Sequence, residues 1–357
     1  MTNTFGTRIH DLTHPDVQNA LRTQAILRRT SRPGAYLVDE IPPLARLPRW
    51  LQPGRRDAQR AGREVLEMKM ALWHRLEQQV TTGQAPHCYA REIFESKDYW
   101  NAHGLTDEHL AWLTSGLVEA GFETTAATLN GLVLHLANNP RVQEAADREL
   151  MRVVGPSRLP TFADLKQLPY IRACVKEMLR MNPILAPGIR HFAEADIAYK
   201  GHVIPKGTVL LANTAFLHFD SQRFDNPEAF HPERYLDHPL YSAEYAAMGD
   251  PLQRDHFAFS SGRRTCPGAR LAENSLGIAL AGMLWAFEIR PPNGQAHMEV
   301  GPGAYLDAGF QLPKPFEVQW VVKGEERARI IREQWTIGQQ EGYELRGVPV
   351  GVDGVIL

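Results

Sequence analysis

The sequence has few cysteines, no long apolar run and almost no net charge. Only three of its 357 residues are cysteines, Cys88, Cys174 and Cys266, and this odd, low count supplies no disulfide framework and favours a reducing compartment. The longest apolar stretches, 132–136 and 276–287, are shorter than the roughly 18–20 residues of a membrane span. A formal net charge of −2 gives no basic field for nucleic acid. These absences argue against a disulfide-stapled domain, a transmembrane anchor in this chain and a nucleic-acid partner.

Helical and loop-forming patterns alternate along the chain. Apolar residues make up 43% of it, enough for a sizeable core, and its 25 prolines and 28 glycines indicate long loops. Apolar periodicity and capping residues predict helices over about 1–30, 56–82, 106–138, 140–154, 162–181 with a break at Pro169, and 266–287. Short strands are predicted in 197–213 and near 316–320, and irregular chain in 33–53 and 225–250. The sequence therefore predicts a mainly α protein with small β-sheets.

The loop before the last apolar helix has the most specific pattern. Its fixed positions are Phe259, Gly262, Arg264, Cys266 and Gly268. The glycines permit tight turns, and a helix starting after the cysteine directs N–H groups and its positive dipole end at the sulfur. Both effects favour a thiolate, the form of cysteine that binds a metal. The alternative is a surface loop with a stray cysteine, which would match five such positions in on the order of one chain in ten thousand.

These five positions resemble the cysteine-pocket signature of the cytochrome P-450 superfamily of haem-thiolate monooxygenases. The resemblance extends over about residues 1–330 and is nearest to fungal microsomal members. It implies the cytochrome P-450 fold, here without the family's amino-terminal part, which comprises the anchor, the first strands and helices A to D. Residues 1–334 are then expected to form the haem domain from about helix E onward, and 335–357 remain an unassigned carboxy-terminal extension.

The resemblance implies heme b, iron protoporphyrin IX, as the cofactor. Cys266 would be the iron ligand, between the two flanking glycines, and Phe259 would form an apolar wall. Arg264 and His256 are candidate partners of the haem carboxylates, the arginine through a charge-assisted fork.

A second motif is a charge pair upstream of the cysteine. Glu177 and Arg180 are three residues apart and share a helix face, although such pairs usually lie on a solvated surface. Their position resembles the family's helix K motif. Segment 230–235 resembles the family's Pro-Glu-Arg-Phe segment, with Tyr235 in place of phenylalanine. The resemblance implies a buried ionic triad of Glu177, Arg180 and Arg234 that is structural rather than chemical.

A third motif, Ala-Gly-Phe-Glu-Thr-Thr at 120–125, lies inside a predicted helix. Glycine and threonine are poor helix-interior residues, and threonine can bond a carbonyl one turn back and bend the helix. The alternative is an ordinary packed threonine pair. The segment resembles the family's oxygen-activation motif in helix I, which implies that Thr124 is the relay alcohol and Glu123 the acid of a proton relay.

The run after the charge pair resembles the family's segment that passes over the haem. His191 matches the position that holds a haem propionate, and Arg190 could share this task. The alternative for His191 is a solvent-exposed loop histidine. Residues expected to line an apolar substrate pocket are Phe122, Ile184, Leu185, Ala186, Ile189 and Phe310.

The predicted function is insertion of one oxygen atom from O2 into a hydrophobic organic molecule, in secondary or xenobiotic metabolism. NADPH would supply electrons through a separate reductase. The family implies the cytosolic face of the endoplasmic reticulum, or the cytoplasm for this chain as given. A non-catalytic family remnant with impaired haem binding is the main alternative. A haem-thiolate isomerase or dehydratase is disfavoured by the Glu123–Thr124 pair, and a zinc or cysteine-nucleophile enzyme by the absence of a paired cysteine or fixed histidine.

Overall fold

A computed structural model describes residues 1–9, 11–32, 34–52, 54–306, 310–345 and 348–351. The two prolines that bound the predicted irregular segment 33–53 lie outside the described residues. Between them the chain forms short helical turns.

The protein is mainly helical with small antiparallel sheets, which confirms the predicted fold class. Its helices are α1 (Thr2–Phe5), α2 (Pro15–Ser31), α3 (Leu37–Glu40), α4 (Arg55–Thr81), α5 (Tyr89–Glu95), α6 (Lys97–Ala102), α7 (Asp107–Ala137), α8 (Pro140–Val153), α9 (Pro169–Met181), α10 (Thr214–His218), α11 (Ser242–Ala246), α12 (Ala269–Ala286) and α13 (Glu325–Gln340). Its strands are β1 (His191–Phe192), β2 (Ile197–Tyr199), β3 (His202–Ile204), β4 (Val209–Leu210), β5 (Phe287–Arg290), β6 (Gln319–Val322), β7 (Tyr343–Leu345) and β8 (Val348–Val350).

The strands form two-stranded antiparallel pairs. β1 pairs with β4, β2 with β3, β5 with β6 and β7 with β8. His191 lies opposite Leu210 in the first pair, and Ile289 lies opposite Trp320 in the third. Such short pairs depend on the helices for their stability.

Three predicted helices differ from the observed elements. The single helix expected over about 1–30 is observed as α1 and α2, because Gly6 ends α1 with a left-handed φ of 73°. Where a helix was expected from 162, residues 164–167 form a 3-10 turn, because the Asp164 carboxylate accepts the Thr161 N–H at 2.7 Å and closes a tight turn. The helix expected from Cys266 begins instead at Ala269 and gives way to a strand at Phe287. Before the helix begins, the Cys266 carbonyl accepts the Ala269 N–H at 3.4 Å in a turn.

The chain divides into two compact units, Met1–Glu123 with Arg332–Leu357, and Thr124–Ile331. The first has its own apolar core. Its buried members include Phe5, Trp73, Leu76, Leu110, Leu345 and Val350. The Tyr343 hydroxyl of the carboxy-terminal hairpin donates to the Gly6 carbonyl. The tail that the sequence left unassigned therefore contributes the end of α13 and a hairpin to this unit.

The second unit is built on helices α8, α9 and α12. Together with the end of α7 they bury a continuous core that includes Leu136, Leu150, Ile171, Met178, Leu280 and Trp285. The Trp285 indole N–H donates to the Gly155 carbonyl at 2.8 Å, so its polar edge is satisfied. This core fixes the helix that begins just after Cys266. In the described part of the chain, no helix has the length and apolarity to cross a membrane.

Candidate functional site

Cys266 lies on the loop that leads into α12. Its side chain is exposed, whereas Cys88 and Cys174 are buried. The Cys266 N–H donates to the Phe259 carbonyl at 2.9 Å. Burial also raises the pKa of the Cys174 thiol well above its usual value. Of the three cysteines, Cys266 is therefore the one presented to a ligand.

The turn that carries the sulfur has a glycine on each side. Gly262 has φ 68°, in the left-handed region that favours glycine. A methyl group on Gly268 would make an ordinary contact of 3.8 Å with the Cys266 sulfur. Gly268 is also the residue before α12, and its carbonyl accepts the Ala272 N–H at 2.8 Å. The positive end of the helix dipole thus lies next to the sulfur.

A buried arginine holds the middle of this loop. Ser260 has φ 65°, an uncommon backbone conformation for a residue with a side chain. Its N–H donates to the Phe257 carbonyl at 2.9 Å, and its carbonyl accepts from Arg254 at 2.9 Å. Arg254 also donates to the Ala246 carbonyl at 2.7 Å. These bonds hold the loop in the conformation that presents Cys266.

His256 does not lie where the sequence placed it. Its side chain is fully buried. One ring nitrogen lies 3.1 Å from the Ser242 hydroxyl, and the other accepts the Ala258 N–H at 3.2 Å. Burial lowers the pKa of His256 to about 4, so the ring is neutral near neutral pH. The prediction that His256 binds a haem carboxylate is therefore wrong, because both nitrogens are used inside the protein and the ring carries no charge.

Lys176 forms the centre of a buried polar cluster on α9. Its ammonium donates to Asp255 and lies 3.7 Å from Glu273. The Ser242 hydroxyl lies 2.6 Å from the Asp255 carboxylate and 2.9 Å from that of Glu273. Asp255 precedes the cysteine loop and Glu273 follows it on α12. One lysine therefore ties both flanks of the loop to α9.

The structure brings Glu177, Arg180 and Arg234 together. Arg180 binds both oxygens of the Glu177 carboxylate, at 2.8 and 2.9 Å, and both side chains are fully buried. Arg234 donates to Glu177 at 3.1 Å, and the His231 N–H does so at 2.9 Å. With this many donors the buried carboxylate is compensated, as a buried charge must be.

His218, at the end of α10, joins this charge cluster to the cysteine loop. Its ring Nδ1 lies 2.7 Å from the Arg180 carbonyl, and its Nε2 accepts the Phe257 N–H at 2.7 Å. The sequence analysis missed this residue and the Lys176 cluster. The charged residues of α9 could have pointed to these partners. Lys176, Glu177 and Arg180 are all buried in this helix, and buried charges require partners.

The predicted proton-relay segment lies within α7, whose helix assignment continues unbroken through it. In the first unit, Glu123 forms an ion pair with Arg28 of α2. In the second, the Thr128 hydroxyl donates to the Thr124 carbonyl one turn back at 3.0 Å. This is the bond type that the sequence suggested, made by a threonine one turn later.

The run after α9 is tied to a distant segment. The Gln311 N–H donates to the Ile184 carbonyl at 2.9 Å, and Asn182 donates to the Gln311 carbonyl at 3.2 Å. Phe310 therefore lies beside the half-buried run Ile184, Leu185 and Ala186. Ile189 is exposed, and Phe122 belongs to the first unit.

The candidate propionate partners lie at or near the surface. Arg190 and Arg264 are exposed, and His191 is half-buried at the start of β1. Arginine and histidine side chains at such accessible positions are suited to binding the carboxylates of a haem. An exposed thiol at a helix N-terminus, with glycines beside it and Phe259 partly buried next to the core, is a donor set that fits a haem iron.

Comparison with known proteins agrees with this arrangement. Residues 1–319 match the family model described as cytochrome P-450. The chain is 62% identical over 358 residues to the cytochrome P-450 monooxygenase pgmC of Aspergillus terreus, covering 99% of this chain and 64% of that protein. It is 35% identical over 347 residues to the cytochrome P-450 monooxygenase verL of Clonostachys rogersoniana, covering 96% and 63% respectively. The chain thus spans less than two thirds of the length of these relatives.

A solved structure of a zebrafish cytochrome P-450 with abiraterone has the same fold. Its TM-score is 0.68 at 21% identity, covering 91% of this chain and 69% of that one. The family match extends over most of the chain and includes the cysteine loop and the charge cluster. The chain belongs to the cytochrome P-450 family.

Proposed function

We propose that the protein is a haem-dependent monooxygenase in which Cys266 binds the haem iron. The observation that carries the proposal is the exposed Cys266 thiol at the start of α12, on a loop whose backbone is fixed by bonds to buried side chains. Bound haem would supply the activation of O2 for transfer of one oxygen atom to the substrate. The family membership and the monooxygenase names of the relatives support this activity.

The residues of this chain would hold the haem in two ways. The Cys266 thiolate, favoured by the dipole of α12, would donate to the iron. Arg264, Arg190 and His191 would bind the propionates, in keeping with their accessible positions. Phe259, partly buried against the core, would exclude water on the thiolate side.

Glu123 and Thr124 would move protons to the reacting oxygen. The alcohol donates and is reprotonated, and the carboxylate connects it to solvent. Arg28 forms an ion pair with the Glu123 carboxylate. Glu123 would have to leave this partner to pass a proton, so Arg28 would set the rate of proton delivery.

The substrate would be a hydrophobic organic molecule of fungal secondary or xenobiotic metabolism. Apolar side chains of the 184–186 run and Phe310 support an apolar pocket wall, and the relatives named above are fungal. Electrons would come from NADPH through a separate reductase at the cytosolic face of the endoplasmic reticulum.

The test is the carbon monoxide difference spectrum of the reduced protein after haem loading. We expect a Soret band at the thiolate position for the native chain and for Cys174→Ala, and its loss in Cys266→Ala. A thiolate band that persists in Cys266→Ala would overturn the assignment of the ligand. A native chain that binds no haem would instead support a non-catalytic member of the family.

A further inference from the structure

His218 makes hydrogen bonds to two segments of the second unit, the buried charge cluster on α9 and the cysteine loop. Its side chain is fully buried at the end of α10. Nδ1 lies 2.7 Å from the Arg180 carbonyl on α9, and Nε2 lies 2.7 Å from the Phe257 N–H in the cysteine loop. These partners are 38 and 39 residues away along the chain.

The two bonds determine the tautomer of the ring. The Phe257 N–H can only donate, so Nε2 must be the unprotonated nitrogen. The Arg180 carbonyl can only accept, so Nδ1 carries the hydrogen. The ring is therefore neutral with both nitrogens satisfied, and burial, which lowers the pKa of His218 to about 3, keeps it in this state.

A short series of backbone bonds leads from His218 to the sulfur-bearing residue. Phe257, held by the ring through its N–H, accepts the Ser260 N–H through its carbonyl at 2.9 Å. Phe259, two residues after Phe257, accepts the Cys266 N–H at 2.9 Å. A shift of residue 257 would thus disturb both hydrogen bonds that hold the Cys266 turn, the one from Ser260 and the one from Cys266.

The other end of the link is held by several hydrogen bonds. Arg180 forks onto Glu177 and donates in return to the His218 carbonyl at 2.8 Å. Arg180 and His218 therefore exchange two hydrogen bonds inside a fully buried cluster, and the ring has little freedom to move. The buried charge cluster is in this way connected directly to the cysteine loop.

We propose that His218 is a positioning residue for the Cys266 thiolate, acting through the Phe257 amide. The inference rests on the proposed role of Cys266 as iron ligand. Packing alone is a different explanation, because the His218 ring also stacks on the Phe257 ring, with centroids 6.3 Å apart. Phenylalanine at 218 would keep the stacking and remove both hydrogen bonds, which separates the two explanations.

The experiment compares three variants of the full chain. His218→Phe removes the hydrogen bonds, and His218→Gln offers an amide that can both donate and accept. The matched control is His135→Phe, because His135 is also buried and stacked on a phenylalanine, Phe230. Within the described part of the chain, the hydrogen bonds of His135 go to Asn139 and Tyr305 rather than to the cysteine loop. The first readout is amide hydrogen exchange of the 255–268 peptide in haem-free protein. The second is the share of haem with the thiolate Soret band in the reduced carbon monoxide complex.

We expect exchange in the loop peptide to rise about tenfold in His218→Phe, the effect of one lost buried hydrogen bond. The thiolate share should fall in the same variant. Both should return towards native values in His218→Gln, and His135→Phe should leave both unchanged. Native exchange in His218→Phe, equal changes in the control, or no recovery with glutamine would each overturn the proposal.

Two further outcomes are decisive. If His218→Phe does not fold, His218→Met replaces it as the apolar variant, and failure of both would make the residue a general folding determinant and overturn the positioning role. A thiolate band that persists in Cys266→Ala would refute the proposed iron ligand, whatever the exchange data show. Failure of the inference and failure of the proposed function are thus separately visible.

Discussion

The guanidinium of Arg180 donates to the carbonyl of His218 at 2.8 Å, and the ring of His218 binds the carbonyl of Arg180 at 2.7 Å. This reciprocal pair joins α9 to α10 without water. Arg180 also donates to both carboxylate oxygens of Glu177. One side chain therefore neutralises the buried carboxylate and holds His218, which supports the cysteine loop. Its loss should therefore affect stability and haem binding at once.

Arg180→Ala should give insoluble or haem-free protein. The substitution leaves the Glu177 carboxylate buried with fewer donors, and breaking such a pair costs about 3–5 kcal/mol. Soluble yield and the ratio of haem to protein would measure the effect. Arg329→Ala, which removes an exposed ion pair with Glu326, is the control and should change neither. A soluble Arg180→Ala protein with full haem content and only slower turnover would contradict the prediction.

Lys176→Met should destabilise the chain by about 3–5 kcal/mol, because two buried carboxylates lose their cation. Neutralising these partners in the same chain, with Asp255→Asn and Glu273→Gln, should recover part of the loss. Urea unfolding midpoints would measure both effects. The control is Lys166→Met, since Lys166 is exposed. An unchanged midpoint in Lys176→Met would show that the cluster does not hold the loop flanks.

Local patterns and long-range contacts explain what the sequence could and could not predict. Helices α4 and α7 lie within two residues of their predicted ends, because apolar periodicity and capping residues are local features. The cysteine loop was found for the same reason. His218 was not, since its partners lie 38 and 39 residues away. The partner of Lys176, Asp255, is 79 residues distant, and no spacing rule connects residues so far apart.

The burial of His256 illustrates a different limit. Its position in the motif suggested a partner for a haem carboxylate, but the ring is buried against Asp255 and Ser242. A motif gives the residue type at a place in the chain. Which way that side chain points depends on partners elsewhere.

The chain should lose stability as pH falls below about 6.5. Burial lowers the pKa of His135 to about 4, of His218 to about 3 and of His256 to about 4, from 6.5. Between those values the unfolded chain binds protons that the folded chain does not, so stability rises with pH, by about 1.4 kcal/mol per unit for each fully shifted group. Burial raises the pKa of Glu149 and Glu273, which favours the fold at lower pH and offsets part of this slope.

Urea unfolding at several pH values between 4 and 6.5 would measure the slope. His135→Phe should reduce it by one histidine's contribution, whereas His202→Phe, at an exposed strand position, should not. Stability that stays constant or increases as pH falls through this window would show that the three rings accept protons in the folded chain.

Thr124→Ala should keep haem and substrate binding but uncouple the reaction. In the proposed mechanism Cys266 serves the iron and Thr124 only delivers protons, so loss of the hydroxyl should spare the thiolate spectrum. Reduced oxygen should then leave as hydrogen peroxide while the reductase still consumes NADPH. Product, peroxide and NADPH would be measured together in the haem-loaded enzyme with its reductase.

The matched control is Thr125→Ala. Thr125 is the same residue type, half-buried in the same helix, but one position along α7 turns its side chain by about 100°. Thr125→Ala also loses a hydroxyl, but it should still couple NADPH consumption to product formation. Arg28→Ala tests the rate of proton delivery separately from coupling. Removing the ion pair of Glu123 should speed proton delivery and leave the ratio of product to NADPH unchanged. If Thr124→Ala couples NADPH to product as well as Thr125→Ala does, Thr124 has no part in the proton relay and is a structural residue of α7, where its carbonyl accepts from Thr128.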